Sequence, residues 1–184
     1  MSEYRINEAN AWDSLDIEKN NKLWGEFLEA WPVERVRSMT LSEYTDTKRD
    51  NAFIYWIEFR LAPLGSIKGG SAFKFGVFAR GDAIDKEATR GLDYTDDYGW
   101  LTKYGSTPEE AFETVKASIL KIISASQRGA LEEIDSVKIS EMFKWKLAFQ
   151  YQNRAAPNIV PVFNATALRA LTKSSGRGQG QTLD

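Results

Sequence analysis

The fold turns on FIYWIEFRLAPLGSIKGGSAFKFGVFAR, residues 53–80. Phe53, Tyr55, Ile57 and Phe59 alternate with Ile54, Trp56, Glu58 and Arg60, a period of two that predicts a strand. Phe73, Phe75 and Val77 alternate with Ala72, Lys74, Gly76 and Phe78, which predicts a second. Gly65, Gly69 and Gly70 between them can reach backbone conformations closed to other residues. The connection therefore reads as a broad hairpin loop, or as a loop holding an extra short strand at 66–68. After Glu58 the stretch carries Arg60, Lys68, Lys74 and Arg80 and no acid, so it reads as a basic, aromatic sheet surface suited to an anionic, flat ligand.

Outward from this stretch, Leu23, Trp24, Phe27, Leu28 and Trp31 recur at helical spacing and predict an amphipathic helix over 21–31. Pro32 suits the first turn of a short helix over 32–37, and Thr40 with Glu43 has the spacing of a capping box. Residues 46–51 read as a polar loop and 81–91 as a charged excursion; 94–104 has room for one strand. Thr107, Pro108, Glu109 and Glu110 form a helix start, and the apolar series from Ala111 to Ile123 carries that helix to Arg128, with Gly129 ending it. Short helical turns are expected at 130–134 and 139–143. Residues 144–152 alternate again, with Trp145, Leu147, Phe149 and Tyr151 on one face. An edge strand interrupted by Pro161 is expected at 159–163, and a helix capped by Asn164 through residue 171.

The chain of 184 residues is long enough for one domain with a sizeable core. It has no cysteine and no histidine, which excludes thiol nucleophiles, disulfides, zinc fingers and an imidazole base. Its start is polar and acidic, unlike a secretory signal, and no run reaches the roughly 18 apolar residues of a membrane span, so a cytoplasmic protein without a membrane partner is expected. The net charge of −2 is unevenly spread: 59–80 and 142–183 contain Lys and Arg and no acid. The two stretches can combine into one basic face; solvated edge lysines would give the same pattern without a ligand.

Catalytic templates fail. GSIKGGS, residues 65–71, lacks the Gly-Lys-Ser/Thr and following helix of a phosphate loop, and its glycines read first as turn residues, although their N–H groups can still hold a phosphate. Asp93, Asp96 and Asp97 lack the spacing of a calcium loop. No catalytic constellation, metal site or cofactor is expected. The binding candidates are Arg60, Lys68, Gly69, Gly70, Ser71, Lys74, Lys144 and Lys146 for phosphates and backbone. Trp56, Trp100 and Tyr104 are the candidates for base stacking, with core packing as the competing role for each.

Several segments together resemble a known family. They are Trp31-Pro32, Met39-Thr40-Leu41, Glu43-Tyr44-Thr45, Phe53 with Tyr55-Trp56-Ile57-Glu58, Leu64-Gly65-Ser66-Ile67, residues 69–76, and Lys144-Trp145-Lys146 with Phe149. The set, spread over 24–171, resembles the N-terminal region that precedes the AAA+ motor in some McrB-like restriction proteins. The resemblance implies DNA recognition, often of a modified base, beside a motor and a nuclease subunit. The chain itself carries no Walker motif.

The expectation is an α+β chain with one recognition domain over 21–171, a polar segment over 1–20 and a tail over 172–184. Its sheet is central, largely antiparallel and twisted, packed by helices. The expected function is a non-enzymatic DNA-binding module of a restriction or antiviral defence system that reads a modified or flipped base. A protein-interaction domain that positions a partner subunit is the alternative.

Overall fold

The computed structural model describes residues 14–46, 50–69, 71–80 and 91–163. Helix α1 (Ser14–Ala30) leads into α2 (Val33–Ser38) and α3 (Leu41–Thr45). A short α4 (Phe53–Tyr55) runs directly into a π-helical turn, Trp56–Arg60, and a 3₁₀ turn, Ala62–Leu64. A second 3₁₀ turn, Ala72–Phe75, precedes β1 (Val77–Ala79); β2 (Leu92–Tyr94), β3 (Tyr98–Leu101), α5 (Pro108–Arg128), α6 (Leu131–Ser136) and α7 (Glu141–Tyr151) follow. The chain is α+β, but the sheet has three short antiparallel strands in the order β1-β3-β2, and helices build most of the core.

The first expected strand, 53–60, is helical. Phe53, Ile54, Trp56, Ile57, Leu61 and Leu64 are buried, a helical spacing, while Phe59 and Arg60 are exposed. Both alternating sets in this run contain large apolar residues, so the period of two had no polar face behind it. The second expected strand begins only at Val77, because Ser71 caps a 3₁₀ turn by accepting from Phe73 N–H at 3.2 Å.

Of the expected strand 144–152, residues 144–151 are also helical, and Gln152 follows in an extended conformation. Here the alternation is genuine, yet it reports nothing about water: Lys144, Lys146, Gln150 and Gln152 are all buried. A helix surrounded by protein has no solvent face to set a period. Residues 159–163 form no strand: the chain bends at Pro161, where Val162 N–H donates to Val160 O at 2.8 Å, and the segment pairs with no strand among the described residues.

Expectations at the helix ends are borne out. Thr107 caps α5 by accepting from Glu110 N–H at 3.2 Å, and Gly129 ends it in the left-handed conformation. The capping box of α3 is complete: Glu43 N–H donates to Thr40 Oγ1 and Thr40 N–H donates to Glu43 Oε2. That bond to the Thr40 backbone, first, with Arg35 nearby, holds the Glu43 carboxyl below its ordinary pKa. α1 begins at Ser14, earlier than expected, and α2 starts one residue after Pro32. The region around 94–104 holds two strands, turned back by Thr95 N–H donating to Tyr98 O at 2.8 Å. The expected helix over 164–171, the tail over 172–184 and the charged excursion except Gly91 lie outside the described residues, as do 47–49 of the polar loop.

The core gathers on α5, whose Ala111, Phe112, Val115, Ile119 and Ile122 are buried against α2, α7 and the sheet. Phe53 anchors the N-terminal helices, with ring contacts to Trp31 at 5.1 Å and Tyr44 at 6.0 Å. Tyr44 and Tyr151 bury their hydroxyls on Phe75 O and Trp31 O, and burial raises both pKa values.

Two glycines of the connection differ in what surrounds them. Gly65 has φ +87°, and a Cβ there would lie 2.5 Å from Pro161 O and 2.6 Å from the Phe163 ring. Gly69 has φ +90° and open space. Gly69→Ala should cost only the backbone strain, on the order of 1–3 kcal/mol. Gly65→Ala should cost clearly more, because residues 161–163 must also move. Denaturant melts of the two variants measure the difference.

Candidate nucleic-acid interface

The structure turns most of the expected basic face inward. Lys146 is fully buried, and its Nζ donates to Leu61 O at 2.7 Å, Leu64 O at 2.8 Å and Gly65 O at 2.7 Å. The Phe163 ring covers it at 5.3 Å, and no carboxylate pairs with it among the described residues. Lys144 is buried too, donating to Asp135 O and Glu141 Oε1, at 2.8 and 2.7 Å, so that it closes the C-terminal end of α6. Lys74 donates to Ile67 O, Gly69 O and Glu58 Oε1 at 2.9, 2.8 and 2.6 Å. None of the three presents an open ammonium to a ligand. The sequence could not separate them from surface lysines, because the acceptors are mostly backbone carbonyls.

The expected stacking residues are placed likewise. Trp56 is buried, with Phe27 at 5.9 Å and the Arg60 guanidinium 3.7 Å over its ring. Trp100 is buried opposite Val77 on the core side of the sheet, and its indole N–H donates to Gly105 O at 3.1 Å. Tyr104 is half-buried against Gly76, with its hydroxyl donating to Lys138 O at 3.2 Å. Trp56 and Trp100 are core residues, so a stacking pocket lined by them is withdrawn.

What stays on the surface is a smaller cluster. Arg60, Lys68, Gly69 and Ser71 are exposed, and Gly70 lies outside the described residues. Lys68 sits 5.3 Å over the ring of Phe59, which is 39 % exposed and lies 5.3 Å from the Tyr55 ring. Among the described residues neither Arg60 nor Lys68 has a carboxylate partner, and the acid nearest in sequence, Glu58, is neutralised by Lys74. Sequence reasoning gave Phe59 no role. Read with helical spacing, Tyr55 and Phe59 form an i, i+4 pair on the outer side of the turn that buries Phe53 and Ile57.

On the outer sheet face Phe78 and Tyr94 close over Gly99, where a Cβ would meet both rings at 2.6–2.8 Å. A cleft of about 560 Å³ between α1, α2 and the end of α7 is lined by Leu28, Val33, Glu34, Gln127 and Asn153, and its only charge is the Glu34 carboxylate. Among the described residues no three carboxylates gather to hold a metal ion, and no helix is long and apolar enough to cross a membrane.

Burial pushes the Lys146 pKa down to about 7, because the charged form loses its hydration. The three carbonyls oppose that shift, since a neutral amine has only two protons to donate. Between about pH 7 and the ordinary lysine value of 10.5, the unfolded chain keeps a proton that the folded chain releases. Stability from this group therefore rises with pH across that window. Lys146→Met should destabilise the fold at roughly 1–3 kcal/mol for each of the two carbonyls left without a donor, those of Leu64 and Gly65, partly offset by removal of the buried charge. The gap between wild type and variant should widen from about pH 7 to about pH 10. Urea melts across that range check the sign.

No protein-family model matches the chain, and neither a curated protein nor a solved structure matches it.

Proposed function

We propose that the chain is a non-enzymatic DNA-recognition module of a restriction or defence system. One observation carries the DNA reading: Arg60 and Lys68 are exposed beside the exposed ring of Phe59, without a carboxylate partner among the described residues. Guanidinium and ammonium groups without carboxylate partners attract phosphates, and an exposed ring offers a base a stacking face. Base contact is assigned to Phe59 and Tyr55 in place of the buried tryptophans. The resemblance to the regions ahead of McrB-like motors supports the defence setting, with a modified or flipped base as the feature read. It also supports an AAA+ motor and a nuclease as partners.

A protein-interaction domain is the second reading. The burial of Lys144 and Lys146 favours it, because a surface with fewer free cations and a chain charge of −2 also suits a protein partner of mixed polarity.

Under the first reading, binding to unmodified, methylated and hydroxymethylated duplexes weakens steeply with added salt. The double variant Arg60→Gln/Lys68→Gln should lower the slope of log affinity against log salt by about 0.9 for each phosphate that is no longer neutralised, with only a small fall in melting temperature from the lost Arg60 contact over Trp56. Phe59→Ala should cost about 1–3 kcal/mol of binding, most on the preferred duplex. Absence of duplex binding at low salt, with a salt-insensitive protein partner instead, would overturn this reading.

A further inference from the structure

Five carbonyls in residues 61–69 are held by two inward ammonium groups, those of Leu61, Leu64 and Gly65 by Lys146 and those of Ile67 and Gly69 by Lys74. A trans peptide plane points its N–H opposite to its C=O, and the described chain contains no cis bond. Fixing Gly65 O and Ile67 O inward therefore sends the N–H groups of Ser66 and Lys68 outward. The Lys68 N–H donates to Ser66 Oγ at 3.1 Å, and the Phe73 N–H donates to Ser71 Oγ at 3.2 Å. Each serine oxygen thus acts as an acceptor and keeps its own proton for another partner. Ser66, Lys68 and Ser71 are all exposed, and the Ser66 N–H has no acceptor among the described residues. The outer side of the connection carries donors, its acceptors having been taken up inside.

Charge points the same way. Lys74 and Glu58 cancel each other at 2.6 Å, which leaves Arg60 and Lys68 as the exposed cations beside the connection, without a carboxylate partner among the described residues. A surface of N–H, hydroxyl and ammonium donors in a positive field selects an anion.

We propose that Ser66, Lys68 and Ser71 form a phosphate subsite, with Lys74 and Lys146 as positioning residues that hold the carbonyls of Leu61, Leu64, Gly65, Ile67 and Gly69 away from the ligand. The proposal rests on the DNA reading for its natural ligand, a phosphodiester, and deepens it by separating the lysine that touches phosphate from the two that orient the backbone. It also accounts for lysines placed where they touch no ligand: without their ammonium groups the inward carbonyls would be free to turn out and repel an anion.

The test follows backbone amide shifts of the full chain on titration with inorganic phosphate and, separately, with a short unmodified duplex. Both probes should shift the amides of Ser66, Lys68 and Ser71. Lys68→Gln, an exposed change, should weaken the phosphate response roughly ten-fold, about 1.4 kcal/mol. The double variant Ser66→Ala/Ser71→Ala should act in the same direction, while Lys103→Gln, outside the connection, should leave the response intact. Lys74→Met should weaken it in the folded protein and Lys74→Arg restore it, a rescue that loss of packing alone would not produce. Loop amides that ignore phosphate, or a response identical in wild type and Lys68→Gln, would overturn the subsite. Duplex binding without loop shifts removes the subsite and leaves the DNA reading; loop shifts with phosphate and no duplex binding do the reverse.

Discussion

The ammonium of Lys146 on the carbonyls of Leu61, Leu64 and Gly65 is the contact on which the arrangement around 53–71 depends. It joins α7 to the end of the π-helical and 3₁₀ turns, where Leu61 O already accepts from Leu64 N–H but the carbonyls of Leu64 and Gly65 would otherwise be left without donors. Burying an ammonium without an acid is costly, and three short bonds to partial negative charges offset much of that cost. Phe163 and Pro161 close over the same point, which is why Gly65 has no room for a side chain. The device recurs: Lys74, Lys144 and Lys116 each bring a cation to backbone carbonyls and add carboxylate partners, one glutamate for Lys74 and Lys116 and both Glu141 and Asp135 for Lys144.

That recurrence changes what an acid-free stretch means. Basic residues without nearby acids in sequence suggest a face awaiting an anion, and that inference holds only if solvent is their alternative partner. Here the alternative partner is the main chain. Lys146 has its counter-charge in carbonyl dipoles of the residues it packs against, and Lys144 adds the carbonyl of Asp135 to the carboxylates of Glu141 and Asp135. Lys68, whose side chain reaches only across the Phe59 ring, is the lysine of that set left facing water.

The sequence was legible where local chemistry decides the structure. Thr107 with Pro108, the Thr40–Glu43 pair and Gly129 specify helix ends through bonds to their own neighbours, and the apolar spacing of α1 and α5 reports their buried faces. It was misleading at 53–60 and 144–152, where tertiary burial overrides pattern. In the first, Phe, Ile, Tyr and Trp fill both alternating sets, so strand and helix place equal bulk inside. In the second, the polar half of the alternation is buried, and its lysines are bonded. The same cause moved the site: Trp56 and Trp100 belong to the core because the elements carrying them are packed on more than one side. Phe59 and Lys68 became visible as a surface pair only once residue 59 was placed on a helical turn.

Global charge is a poor guide to such a surface. The chain carries −2 overall, yet interactions between exposed charges fade over a screening length of roughly 8–10 Å. A ligand at Ser66, Lys68 and Ser71 therefore responds to Arg60 and Lys68 far more than to the distant acids of α5 and α6. Glu58, the carboxylate placed to cancel that field, is tied to Lys74 at 2.6 Å and largely shielded from solvent. One ion pair thus does two things at once: it fixes the backbone of the connection and leaves the remaining positive charge on the outer side. A rigid backbone bearing unspent donors binds with less ordering cost than a mobile loop of the same composition. By that reasoning the inward lysines contribute to recognition through the geometry they impose, although neither reaches the ligand.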